Sequence, residues 1–344
     1  MANPTVAAGF PRAFLDFAAS RGANRQTLLE RSRIRPDELD EQDDRVPLAS
    51  YVALLKAGGE LCNEPALALL FGEEVRMPDV SIVGLIGATV GSAEEGRRQV
   101  NRYARLMFDE DDGSASDRVE FVREKEDVWV KFTSPVYAEN PLITESGFAR
   151  AVCGMRAMFE AERVPVPQPV PKAIHFTHRE PCYRAEYDRV FGVPLVFGSH
   201  MNAFLMGGEF LSLSLPRKNP YLSRLLTAHA EGLLEKLEGS KSTRGRVESL
   251  LAPTLHTGAA KVDAVAKELG VSRQTLFRRL KAEGVTFEKV LDELRRKLAL
   301  QYLVAKKVSV NETAYLLGFS DSAAFSRAFT RWTGRSPRMM RPKD

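Results

Sequence analysis

The sequence predicts a multidomain protein, with a mixed α+β N-terminal domain followed by an all-α C-terminal domain with two helix-turn-helix motifs. Three observations predict it. Alternating segments such as VEFVRE (119–124) and DVWVKFT (127–133) are interleaved with helical stretches only in the first two thirds of the chain. Beyond about residue 240 only helical periodicity remains, and one pattern there occurs twice. The charge divides at the same place. From residue 241 onward 21 Lys and Arg face 10 Asp and Glu, a net of +11, whereas the remainder carries −7. We therefore assign residues 1–216 and 244–344 to two domains, with a helical linker over 217–243.

The elements follow in order. Residues 9–32 have a helical period, with Phe10, Phe14, Phe17 and Ala18 on one face and a break at Gly-Ala-Asn. Pro47 precedes LASYVALLKAG and Pro65 precedes ALALLFG, at helix starts where a missing N–H costs nothing. The apolar, Gly-bearing segment 80–90 reads as one buried helix, and a polar helix with Arg97, Arg98, Tyr103 and Leu106 follows. VEFVRE and DVWVKFT, separated by Lys125 and Glu126, read as a hairpin. Residues 142–161 return to a helical period through Ile143, Phe148, Val152, Met155 and Phe159. PVPQPVP is a break, AIHFTH a strand, and CYRAEYDRVFG a helix ended by Gly192. VPLVF and NAFLM are two further strands, and an amphipathic helix runs from Pro220 toward Glu238, ending at a polar hinge, GSKSTRG.

Several function classes drop out. No stretch approaches the ~18 apolar residues of a membrane span. The N-terminal residues MANPTVAAGF lack the basic start and apolar core of a signal peptide. Cys62, Cys153 and Cys182 are far apart and odd in number, which argues against a disulfide framework or thiolate zinc site and for a reducing cytoplasm. His175 and His178 bracket a strand near Cys182, but alternation sends neighbouring side chains to opposite faces, so no metal site is assigned. With no phosphate loop, HExxH or Ser-elbow, we assign no catalytic residue and no cofactor.

The repeat lies in the basic tail. VDAVAKELGVSRQTLFRRL (262–280) and VNETAYLLGFSDSAAFSRAF (310–329) superpose. Val262, Ala266, Leu269 and Gly270 match Val310, Ala314, Leu317 and Gly318. After one extra residue in the second turn, Leu276, Arg278 and Leu280 match Phe325, Arg327 and Phe329. Each stretch is a short helix, a Gly turn, a Ser or Asp cap and a second helix. The two units are placed at 262–281 and 310–331. Ser309 and Glu312 are spaced as a capping box. The second helix of such a unit fits the major groove of double-stranded DNA. A helical hairpin without that role is the bland alternative, and two units in register inside a +11 segment favour DNA. Between them, Phe287, Val290, Leu291, Leu294, Leu298 and Tyr302 mark a connector helix that sets their spacing. Equivalent groove faces lie about 34 Å apart.

In the first unit Arg273, Gln274 and Arg278 are expected to face DNA, and Arg279 to contact phosphate. In the second, Ser322, Ala323, Ser326 and Arg327 form the DNA-facing set, with small groups that discriminate bases less. Leu276, Leu280, Phe325, Phe329 and Trp332 fall on the inner face and are structural.

These residues carry a family resemblance. GFSDSAAFSRAFTRWTGRSP with the upstream ETAYLLGF, together with LGVSRQTLFRRLKAEGVTF and LDELRRKLALQYL, resembles the AraC/XylS family of bacterial transcription regulators over about a hundred residues. PKAIHFTHREPCYRAEYDRVFGVPLVFG and NAFLMGGEFLSLSLP look like the subgroup with a large mixed α/β ligand domain rather than a small barrel. Met339 and Met340 stand where members often have Tyr, and Thr313, where members are often apolar, is expected to cost some packing. The resemblance implies a nucleoid-associated transcription regulator, here taken as an activator although promoter geometry decides the sign. It implies a small-molecule effector and a homodimer built on residues 1–216, and contact with RNA polymerase. The rival reading is an enzyme or a protein-interaction domain tethered to a DNA-binding tail. An enzyme needs an acid, base or nucleophile cluster that the sequence lacks.

Overall fold

In the computed structural model the described residues are 4–110, 117–164, 168–215, 219–257, 261–305 and 308–340. They divide into two units, Met1–Leu234 and Glu235–Asp344. The domain edge drawn at 216–217 and the first three residues of PVPQPVP (165–167) lie outside the described residues.

The N-terminal unit opens with β1 (Thr5–Ala7), α1 (Gly9–Ser20) and α2 (Arg25–Ser32). The helical stretch breaks where expected, because the Asn24 side chain accepts from Thr27 N–H and restarts the helix. Next come β2 (Arg45–Pro47), α3 (Leu48–Leu61) and α4 (Leu67–Glu74). The apolar segment 80–90 holds a buried helix as expected, shorter than the segment and preceded by one more turn. α5 (Met77–Val80) ends at extended Ser81, whose hydroxyl accepts from Val83 N–H and starts α6 (Ile82–Gly87). The fold-back is tight: a Cβ on Gly84 would lie 2.2 Å from the Met77 carbonyl oxygen. α7 (Ala93–Met107) leads into β3 (Phe108–Asp109), and the small antiparallel sheet has the order β2-β1-β3.

The second sheet carries the larger core. The hairpin β4 (Val119–Glu124) and β5 (Asp127–Phe132) forms as expected, with Val119 opposite Phe132. α8 (Pro135–Glu139) and α9 (Pro141–Ala161) follow. β6 (Ala173–His175), α10 (Arg184–Phe191), β7 (Leu195–Val196) and β8 (Asn202–Gly207) complete a five-stranded sheet of order β4-β5-β8-β6-β7. The unit is thus mixed α/β with two sheets. Phe148, Phe176, Tyr187, Phe191 and Phe204 fill its centre. The apolar residues near 191–206 therefore build core. α9 packs on α4 so closely that a Cβ on Gly72 would lie 2.1 Å from the Ser146 carbonyl oxygen. That approach fixes α9, which carries the buried charges described below.

From α11 (Pro220–Lys241) onward the described elements are helical or short turns. The polar stretch 239–245 holds a helix break, narrowed to Ser242. α11 continues through Lys241, and α12 (Thr243–Leu251) begins one residue after Ser242. Ser242 caps it, and Glu283 accepts from the N–H groups of Thr243 and Arg244 at 2.7 and 2.9 Å. α13 (Val262–Glu268), α14 (Arg273–Ala282) and α15 (Phe287–Leu300) come next. α15 ends in a π-turn over Gln301–Ala305. α16 (Val310–Leu316), α17 (Ser322–Thr333) and α18 (Pro337–Met340) close the described chain. One core serves all of them, with Val247, Leu251, Leu276, Leu280, Phe287, Val290, Phe325 and Phe329 buried together. Among the described residues no helix is long and apolar enough to cross a membrane, and no group of three His, Cys, Asp or Glu could hold a metal.

Candidate nucleic-acid interface

Each helix pair is set by its turn. Gly270 and Gly318 have φ of +65° and +71°, a conformation open to residues without a Cβ. Ser272 accepts from Thr275 N–H at 3.1 Å and starts α14. In the second unit Asp321, rather than Ser320, is the cap, accepting from Ala324 N–H at 2.6 Å. That bond and the Ser320 hydroxyl hold its carboxyl below the usual range. Ser309 accepts from Glu312 N–H at 3.2 Å, the forward half of a capping box. Ser272→Ala is expected to cost about 1 kcal/mol. That lowers the unfolding temperature of a unit of about 100 residues by roughly 4–6 °C, a shift readable by circular dichroism.

The inner faces agree with expectation. Leu276, Leu280, Phe325 and Phe329 are fully buried. Trp332 packs against the same core with its indole N–H buried and unpartnered. Thr313 fits better than expected. It is fully buried and its hydroxyl donates to the Ser309 carbonyl at 2.8 Å, so the polar atom is satisfied.

On α14, Arg273, Gln274, Arg278 and Arg279 are all exposed. Gln274 and Arg278, four residues apart, share one stripe of the helix, whereas Arg279 projects to its flank. Arg273 lies 3.2 Å from Asp263 with its guanidinium over the Phe277 ring at 5.4 Å. That pair is solvent-exposed and worth little, so a phosphate can replace the carboxylate. Among the described residues Arg278, Arg279 and Arg327 make no ion pair. On α17, Ala323 and Arg327 are exposed, and Ser322 and Ser326 are half-buried on the same face. The Ser326 hydroxyl donates to the Ser322 carbonyl at 2.7 Å, which leaves it an acceptor on its outer side.

Sequence reasoning did not single out Arg295. It is half-buried, donates to the Leu317 carbonyl at 3.0 Å and stacks over Phe319 at 4.8 Å. It ties the connector helix to the turn of the second unit. Nor did sequence reasoning single out Glu145 in the N-terminal unit, which is 1% exposed. Its Oε2 accepts from Tyr187 and Tyr183 at 2.6 and 2.9 Å, while Oε1 has no hydrogen-bond partner. Burial pushes its carboxyl up to about 7, against the pull of the two phenols. Both fall on the apolar stripe of their helices, Glu145 three residues before Phe148 and Arg295 four after Leu291, so it is their charge and not the periodicity that hid their burial.

Comparison with known proteins fits this geometry. The sequence model of the arabinose-binding N-terminal domain of AraC transcription regulators matches residues 22–215, and that of a helix-turn-helix domain matches residues 265–343. The chain belongs to the AraC family of transcription regulators. It is similar to the ornithine utilization regulator of Pseudomonas aeruginosa, 30% identical over 340 residues, covering 96% of this chain and 95% of the relative. It is 24% identical over 333 residues to the transcriptional regulator VirS of Mycobacterium tuberculosis, covering 95% and 94%. The transcriptional activator RhaS of Escherichia coli is 38% identical over 138 residues, covering 39% of this chain and 49% of the relative. The chain is thus a DNA-binding transcription regulator with an effector-type N-terminal domain, and not an enzyme.

Proposed function

We propose that α14 and α17 enter successive major grooves of a promoter, with Gln274 and Arg278 reading bases in one and Ser322, Ala323, Ser326 and Arg327 touching the other. Arg273 and Arg279 hold phosphates. One observation carries this reading. Two capped second helices rise from a single buried core and leave these residues outside it. Gln pairs with adenine and Arg with guanine through two hydrogen bonds each, whereas Ala offers a thymine methyl only a light contact. The first unit therefore dominates specificity.

Residues 1–216 receive a small-molecule effector and form a homodimer surface, 217–243 link, and 244–344 bind DNA. The chain acts in the cytoplasm, on the nucleoid. It activates transcription by contacting RNA polymerase, a reading supported by the activator named above. The test is selection of genomic fragments by the purified full-length chain in physiological salt. A bipartite motif with halves about 34 Å apart is expected. Salt-sensitive binding with no motif would overturn the reading. Arg278→Ala is expected to lose about 1–3 kcal/mol at one base pair only. Equal losses on specific and random DNA would make Arg278 a phosphate contact.

A further inference from the structure

The N-terminal unit buries a guanidinium with no carboxylate beside it. Arg150, on α9, is 4% exposed. Its Nε donates to the Val75 carbonyl at 2.8 Å and its Nη2 to the Ser146 hydroxyl at 3.2 Å. The guanidinium lies over the rings of Phe71 at 4.7 Å and Phe10 at 5.6 Å. These contacts leave several of its five N–H donors without an acceptor. Among the described residues no Asp or Glu pairs with it, and the titratable groups acting on it are two phenols, Tyr51 and Tyr137. An uncompensated charge in the interior is costly unless something pairs with it.

The two phenols are also short of acceptors. Among the described residues neither hydroxyl has a hydrogen-bond partner. Burial pushes both up, Tyr137 to about 12, so both keep their protons and donate. Their rings join those under Arg150: Phe10 lies 6.5 Å from Tyr51 and 5.2 Å from Phe108, which lies 6.1 Å from Tyr137. A Cβ on Gly147 would meet the Tyr137 ring at 2.8 Å and its hydroxyl at 3.3 Å. Gly147 and Arg150 are three apart on α9, so that hydroxyl lies along the helix face carrying the guanidinium. Tyr137 is half-buried.

Donors are therefore in excess within an aromatic enclosure. We propose that Arg150, Tyr51 and Tyr137 bind the carboxylate of a small organic acid, whose hydrocarbon part lies against Phe10, Phe71 and Phe108. The guanidinium supplies the charge and the phenols fix the orientation through two O–H donors. The proposal rests on the effector reading above and names the ligand class for that domain. Apolar walls with a few converging polar groups are what a small-molecule site requires.

The test uses the full-length chain with benzoate and hexanoate, and with benzamide and hexanamide as neutral counterparts. Calorimetric binding and a raised unfolding temperature are expected with the acids and not with the amides. The double variant Y51F/Y137F removes only two unpartnered hydroxyls, so it should unfold at the wild-type temperature or above without ligand, yet bind the acids at least tenfold more weakly. R150M should abolish binding. No response to either acid at millimolar concentration, equal responses to acid and amide, or unchanged binding by Y51F/Y137F would each overturn the proposal. DNA selection is run in parallel. A normal DNA motif with no acid response removes this site alone, whereas loss of the motif removes the regulatory reading.

Discussion

Phe325→Ala is expected to cost about 3–5 kcal/mol and to abolish the folded C-terminal unit in the full-length chain. Phe325 is fully buried, with ring centroids 5.6 Å from both Phe319 and Phe329. The same core holds Leu276 and Leu280 from the first helix-turn-helix unit, so damage at α17 spreads to α14. A domain is stable by only about 5–15 kcal/mol in total, so this single loss is a large share. The measurement is limited proteolysis with DNA binding on specific and random sequences. Rapid cleavage beyond residue 235 and loss of both binding modes are expected. Protease resistance with altered specificity alone would mean that Phe325 reads DNA and is not core. Ser326→Ala, outside the buried core, should leave cleavage unchanged.

The second large effect is a pH dependence in the N-terminal unit. Glu145 has its carboxyl held up to about 7 in the folded chain, against an ordinary value of 4.5. The native state thus binds a proton that the unfolded chain has released. Its stabilising contribution is complete below about 4.5 and is lost as pH rises through about 7. At about 1.4 kcal/mol for each tenfold, the loss is roughly 3 kcal/mol. Glu145→Gln keeps an acceptor for Tyr187 and Tyr183 and removes the titration. Denaturant midpoints between pH 5 and 8 should fall in the wild type relative to this variant. Nearby His178 acts in the opposite direction, since burial holds its ring below its usual value and favours the neutral form. The difference between wild type and Glu145→Gln therefore isolates the carboxyl, and parallel pH curves would refute the assignment.

Legibility in the sequence followed the range of the interactions. Gly270, Ser272, Gly318 and Ser309 act on neighbours within a few residues, so the helix pairs could be read directly. The β4–β5 hairpin was legible for the same reason. Segment 80–90 was legible as a buried helix, and its start at Ile82 is set by the Ser81 hydroxyl, which captures the Val83 N–H. α12 was hidden in a polar stretch because its free N–H groups are satisfied by Glu283, 40 residues away. Glu145 was illegible because a carboxylate at a stripe position, three residues before Phe148, reads as surface, and Arg150 because α9 is buried off its apolar stripe as well. For the residues proposed to face DNA, composition and periodicity identify an exposed face, but which atom meets which base depends on a partner outside the chain.

The π-turn at the end of α15 gives the connector an angular role. A π-turn holds more residues per turn than the α-helix before it, so Gln301–Ala305 resets the helical phase before the second unit begins. Inserting one residue into α15 would rotate everything beyond it by about 100° and advance it by about 1.5 Å. Inserting seven would nearly restore the angle while shifting the second unit by about 10 Å. The connector works like a gear train, in which tooth count matters more than length. If both units read DNA as proposed, changes of whole turns retune the spacing of the two segments, and single-residue changes disengage one of them.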